Sequence, residues 1–150
     1  MKNVFNHSDS LEIINRINQL TSTSKARWGK MSVAQMLAHC NVSYEMIYEN
    51  KHPQPNPFKR FILRLLVKKI VVSEIPYTQN GKTAPQFIIK DDKNFEAEKN
   101  RLIEFIIKTQ QLGENHFNKK ESLSFGILTS NEWNNMLYKH LDHHLNQFGV

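Results

Sequence analysis

A chain of 150 residues with 39% hydrophobic and 23% charged content is long enough to bury its own core and too apolar for a disordered segment. Its longest apolar run, residues 61–72, is broken by Arg64, Lys68 and Lys69, which argues against a membrane-spanning helix, and Cys40, the sole cysteine, excludes an internal disulfide. The formal charge of +6 is spread over scattered lysines such as Lys25, Lys51 and Lys108, so it reads as solubility and not as a nucleic-acid footprint.

The opening residues lack the basic, apolar, small order of a signal peptide. With a lone cysteine this predicts a cytoplasmic protein, and the length predicts a single domain over residues 1–150. Residues 10–20 carry the first helical periodicity, with Leu11, Ile14, Ile17 and Leu20 on one face and Ser10 or Asp9 as the cap. The second helix starts at Ser32, where Ser32 and Gln35 form a capping-box pattern. Its inward face is Val33, Met36, Leu37, Cys40, Tyr44, Ile47 and Tyr48, and it ends near Asn50, before the prolines.

Residues 58–72 read as a third helix, apolar on most sides, packed in the core with its lysines and arginines reaching outward. Residues 73–92 hold an Asn-Gly pair and two prolines and predict a long connection with a short extended piece. The fourth stretch, residues 94–112, buries Phe95, Leu102, Phe105, Ile106 and Thr109, and Gly113 closes it as a left-handed cap. A second capping box, Thr129 with Glu132, opens the last helix, which runs to about residue 147. Strand-like alternation is almost absent. The expected fold is therefore all-α, a four-helix bundle with a long crossover between the third and fourth helical segments.

Three of the seven histidines, His140, His143 and His144, fall within five residues of the last helix. At about 100° per residue, His140 and His144 share the buried stripe marked by Trp133, Met136, Leu137 and Phe148. His143 sits on its shoulder, and Lys139 and Asp142 point away. A solvated patch would occupy the polar face instead. Two imidazoles one turn apart lie roughly 5–6 Å apart at Cβ, close enough to converge on one ion. Hydrogen-bonded structural histidines meet the same burial, because two neutral rings need partners for their nitrogens in either case. A metal site requires a third ligand, and His39, on the flank of the second helix's apolar face, is the best placed of the rest.

The segments ARWGKMSVAQMLAHCNVSYE (26–45) and FGILTSNEWNNMLYKHLDHHLNQFG (125–149) resemble the DinB/YfiT-like superfamily of metal-binding four-helix bundles, and within it the domain-of-unknown-function family 1569. The resemblance implies a divalent-metal triad of His39, His140 and His144. It departs at Leu123-Ser124, where relatives often carry His-Pro before the Phe-Gly turn. It further implies metal-dependent transfer to low-molecular-weight thiols such as mycothiol, bacillithiol or glutathione.

Three imidazoles leave a coordination position open, as in catalytic zinc sites; zinc is the first expectation, with nickel, iron or manganese also suited to imidazole. The expected chemistry is a thiol S-transferase or a small-molecule hydrolase. Asp142 faces outward, so a metalloprotease-like base is not expected. His143, Tyr44, Asn41 and Tyr138 are the candidates for assisting groups. Cys40, central in its stripe, reads as a small buried hydrophobe; Trp28 and Trp133 read as core, and Gly29 as a turn before the second helix. The expected partner is a small molecule, with room for a homodimer and none for nucleic acid. The alternative is a non-catalytic helical module in which residues 58–72 dock on an anionic surface or a protein.

Overall fold

The computed structural model describes residues 1–150. Six α-helices dominate it. Helix α1 spans His7–Gln19, and its cap is Asn6, whose side chain accepts from the N–H groups of Ser8 and Asp9. The expected caps are engaged elsewhere, because residues 3–6 fold back over the helix start: Asp9 accepts from Asn3 N–H (2.8 Å) and Ser10 Oγ donates to the Val4 carbonyl (2.6 Å). The inward face is Ser10, Ile13, Ile17 and the following Leu20, which corrects the predicted stripe, since Leu11 is exposed.

Helix α2, Val33–Tyr48, forms its capping box in both directions between Ser32 and Gln35. It is buried on nearly every side from Val33 to Glu45, because it lies against both α5 (Phe95–Phe117) and α6 (Ser130–Phe148). Helices α1, α2, α5 and α6 contact one another around a core cluster of 20 side chains, among them Ile17, Leu37, Leu102, Ile106, Leu141 and Leu145.

The predicted third helix is two helices, α3 (Pro57–Leu66) and α4 (Lys68–Val72), broken at Val67. Neither buries a residue, so the expected core helix with outward lysines is overturned. Polar anchors hold this segment instead: Arg60 pairs with Glu121 (2.5 Å), and Lys139 and Asn135 of α6 donate to carbonyls at the end of α4. The connection 73–92 contains no extended strand; its one regular piece is a 3-10 turn, Pro85–Phe87, lying on α2.

Gly113 does not end its helix. With φ 71° and ψ 173° it kinks α5, which resumes to Phe117. The kink carries Phe117 into the core, within 5.0 Å of the Phe5 ring and 5.6 Å of the Trp133 ring. A two-residue antiparallel hairpin, β1 (Glu121–Ser122) with β2 (Gly126–Ile127), then leads into α6. That helix opens on the Thr129–Glu132 box and closes at Gly149 in the left-handed conformation. Its core stripe is Trp133, Leu137, Leu141, Leu145 and Phe148. Lys139, expected to point outward, is buried at 4% exposure, because α4 and its following turn cover that side and supply the carbonyls of Ile70 (2.7 Å) and Ser73 (2.5 Å).

Candidate metal centre

The capping boxes fix where α2 and α6 begin, and the packing of the two helices brings His39 opposite His140 and His144. One nitrogen from each of the three rings lies within 4.8 Å of the other two, and His39 Nε2 stands 2.9 Å from His140 Nε2. The rings are close-packed, with centroids 4.5–4.9 Å apart. His39 and His144 are buried, and His140 is partly exposed. The flank position of His39 on the wheel becomes an interior one because α6 covers that flank.

Each ring is oriented through its Nδ1. The Phe87 carbonyl, from the 3-10 turn, lies 2.7 Å from His39 Nδ1. A carbonyl only accepts, so His39 carries its proton on Nδ1 and keeps the Nε2 lone pair free. Gln147 Nε2 donates to the Trp28 carbonyl (2.7 Å), which leaves Gln147 Oε1 facing His144 Nδ1 at 2.8 Å. The amide orientation is thereby fixed, and His144 is likewise an Nδ1–H donor with a free Nε2. His140 Nδ1 meets Ser43 Oγ at 3.0 Å, and the hydroxyl serves either tautomer of this ring, accepting from an Nδ1–H or donating to a bare Nδ1.

Burial is the first cause lowering the pKa of all three rings. It is opposed at His39 by the Phe87 hydrogen bond, reinforced at His140 by His144 and His39, and at His144 it acts with His39 to bring the value to about 3. Three neutral imidazoles brought together in this way form a donor set that could hold a metal ion.

His143 lies beside this cluster. Its ring is 5.0 Å from that of His144 and edge-on to Trp28 (5.9 Å) and Tyr77 (5.7 Å). With those two, Tyr138 and Asn146 it lines a cavity of about 400 Å³. Its pKa is lowered by burial and partly restored by Asp142. Trp28 is thus a cavity wall and not core, whereas Trp133 is core.

Other candidates are placed elsewhere. Tyr44 stacks on Phe105 (5.6 Å) between α2 and α5, and its hydroxyl has no hydrogen-bond partner. Asn41 turns to α5 and donates to Glu98. Cys40 is buried beside Met36, and burial pushes its thiol well up, as suits a small hydrophobe. Asp142 pairs with Arg16 (2.7 Å) and lines the same cavity as His143.

Three supporting groups escaped the sequence reading, Ser43, Gln147 and the Phe87 carbonyl, and Gly29 was read only as a turn. Gln147 follows His144 by three residues, a spacing that places both on one helix face. Gly29 has φ +84°, and a Cβ there would stand 2.5 Å from Gln147 Nε2, so the turn requires glycine for the amide to reach Trp28. No local pattern marks Ser43 or Phe87, because their partners lie 97 and 48 residues away.

Fold and site together define an all-α protein with a three-histidine cluster able to hold a metal ion. The chain belongs to the family described as Protein of unknown function (DUF1569), whose model matches residues 2–149. Comparisons with curated proteins and with solved structures return no match.

Proposed function

We propose that this protein is a cytoplasmic, single-domain metalloenzyme of the DinB/YfiT-like four-helix-bundle kind, a thiol S-transferase or small-molecule hydrolase, with His39, His140 and His144 as ligands of one divalent ion, zinc first. The observation that carries the reading is that each ring has an oxygen partner at Nδ1 while one nitrogen of each ring converges within 4.8 Å of the others. A bound ion of this type supplies Lewis acidity to a fourth ligand, drawing the pKa of a thiol or water toward neutrality. The chain's own groups do the rest. Phe87, Ser43 and Gln147 hold the rings, and burial keeps them neutral and available as ligands. His143 is the group placed both beside His144 and on the cavity wall, and it takes the proton released when a substrate thiol or water binds. Trp28, Tyr77 and Tyr138 give the cavity aromatic walls for an organic substrate.

A competing reading draws on the 2.9 Å contact between His39 Nε2 and His140 Nε2, which is a hydrogen bond in a metal-free structural cluster when His140 carries its proton on Nε2 and Ser43 Oγ donates to its Nδ1. Elemental analysis of protein made without a histidine tag separates the two. The metalloenzyme reading expects about one equivalent of a transition metal, lost in His39→Ala and His144→Ala. No metal in isolated or zinc-reconstituted protein, or unchanged binding in both variants, overturns it.

A further inference from the structure

Helix α3 presents its apolar face to solvent. At about 100° per residue, Phe58, Phe61, Ile62, Leu65 and Leu66 fall within an arc of about 140°. Phe58 is 74% exposed, Phe61 58%, Leu65 64% and Leu66 68%, and Ile70 on α4 continues the strip at 61%. The narrower opposite arc, Leu63, Val67 and Arg60, faces the body of the protein, where Arg60 reaches Glu121 Oε1 and the Ser122 carbonyl. Asn56 caps one end of the segment, and Lys139 and Asn135 take the carbonyls at the other. The segment is therefore tied to the body through Arg60 and at the end of α4, with a contiguous hydrophobic face left outward. Singly scattered apolar residues are ordinary on a surface, but an ordered stripe of this kind marks an interaction face.

The charges select what covers it. Residues 57–72 hold five basic residues and no acidic one. Arg60 and Lys68 are paired, with Glu121 and Glu132. Lys59, Arg64 and Lys69 have no carboxylate partner. On the wheel, Lys59 borders the apolar arc on one side and Arg64 on the other, so both lie at the depth where a phosphate would meet the edge of a buried apolar face. A second copy docking through the same stripe would bring both sets of unpaired cations into one rim with nothing to neutralise them. Anionic lipid supplies the opposite sign and the apolar layer together. No helix is long and apolar enough to cross a membrane, so the contact is a helix lying in the surface.

We infer that α3 and α4 form a peripheral membrane-docking face for an anionic bilayer, entered by Phe58, Phe61, Leu65 and Leu66 and rimmed by Lys59, Arg64 and Lys69. This inference does not rest on the metal reading.

Flotation of the full chain with phosphatidylcholine vesicles, with and without 30% phosphatidylglycerol, tests it. Binding to the anionic vesicles is expected at least about tenfold above the neutral ones at 50 mM salt, and to fall roughly tenfold at 500 mM. Phe61→Glu combined with Leu65→Glu changes only exposed positions and abolishes flotation while leaving the circular dichroism melt unchanged; His144→Ala floats like the wild type. Should the double variant unfold, Lys59→Gln with Lys69→Gln decides, with an expected loss of about fivefold or more. Absence of flotation, equal binding to neutral vesicles, or variants that float normally overturns the inference. So does a concentration-dependent dimer in sedimentation velocity that the Phe61/Leu65 variant dissolves, since a second copy would then own the face.

Discussion

Along α2 and α6 the protein buries polar groups, and along α3 and α4 it exposes apolar ones. His39, Asn41, Ser43, His144 and Gln147 sit in or beside the interior, where ordinary packing would place hydrocarbon. Phe58, Phe61, Leu65 and Leu66 sit in water, where ordinary packing would place lysine. Both regions invert the usual sorting, and both are held in that state by specific contacts. In the interior, every ligand-cluster imidazole has a partner at Nδ1. On the surface, the outward face is fixed by Arg60 below and Lys139 at the end. An inversion that the rest of the chain works to maintain is a better guide to function than a residue type alone.

The contrast can be broken from either side, and the largest effect belongs to the interior. Leu141→Ala removes a fully packed side chain at 2% exposure, and urea unfolding should show a loss of about 2–5 kcal/mol. Next is the support of the cluster. Gln147→Leu keeps the volume but leaves His144 Nδ1 without an acceptor, and zinc affinity measured by competition with a chromophoric chelator should fall about 10–100-fold with little change in fold. Retained affinity would mean that the Trp28–Gln147–His144 chain does not orient the ring.

Acid should loosen the interior more gently. In chelator-treated protein the three histidines stay neutral when folded but protonate near their ordinary value of 6.5 when unfolded. Their folded pKa values are depressed, so the unfolded state binds more protons as the pH drops below about 6.5. Full stability is therefore present above that pH and lost as it falls toward the folded values, about 3 at His144. Calorimetry between pH 7.5 and 6 should record a melting point lower by a few degrees, and His39→Gln should reduce that slope. The smallest effect lies outside. Leu65→Ala, at 64% exposure, should change stability by no more than about 0.5 kcal/mol. A core-sized loss there would show that α3 is a buried helix after all.

Much of the site was legible because it is periodic. His140 and His144 share a helix face by spacing alone, and the two capping boxes set the starts of their helices to the residue. The burial of α3 was misread because its periodicity announces an apolar face without saying what the face meets. Lys139 was misread for the same reason, since a wheel shows one neighbour and α6 has another in α4. Leu11 yielded its inward place to Ile13 because residues 3–6 fold back over the start of α1 and draw Ser10 inward through the Val4 carbonyl.

Composition, periodicity and capping chemistry are local quantities, and they determined the helical class, the starts of α2 and α6 and two members of the histidine cluster. The third member depended on which flank of α2 met α6. The supports depended on contacts across 48 residues to Phe87, 97 to Ser43 and 119 from Gln147 to Trp28. Only the tertiary structure decided these, because a hydrogen bond reads distance in space, and the chain encodes that distance through the packing of all its helices together.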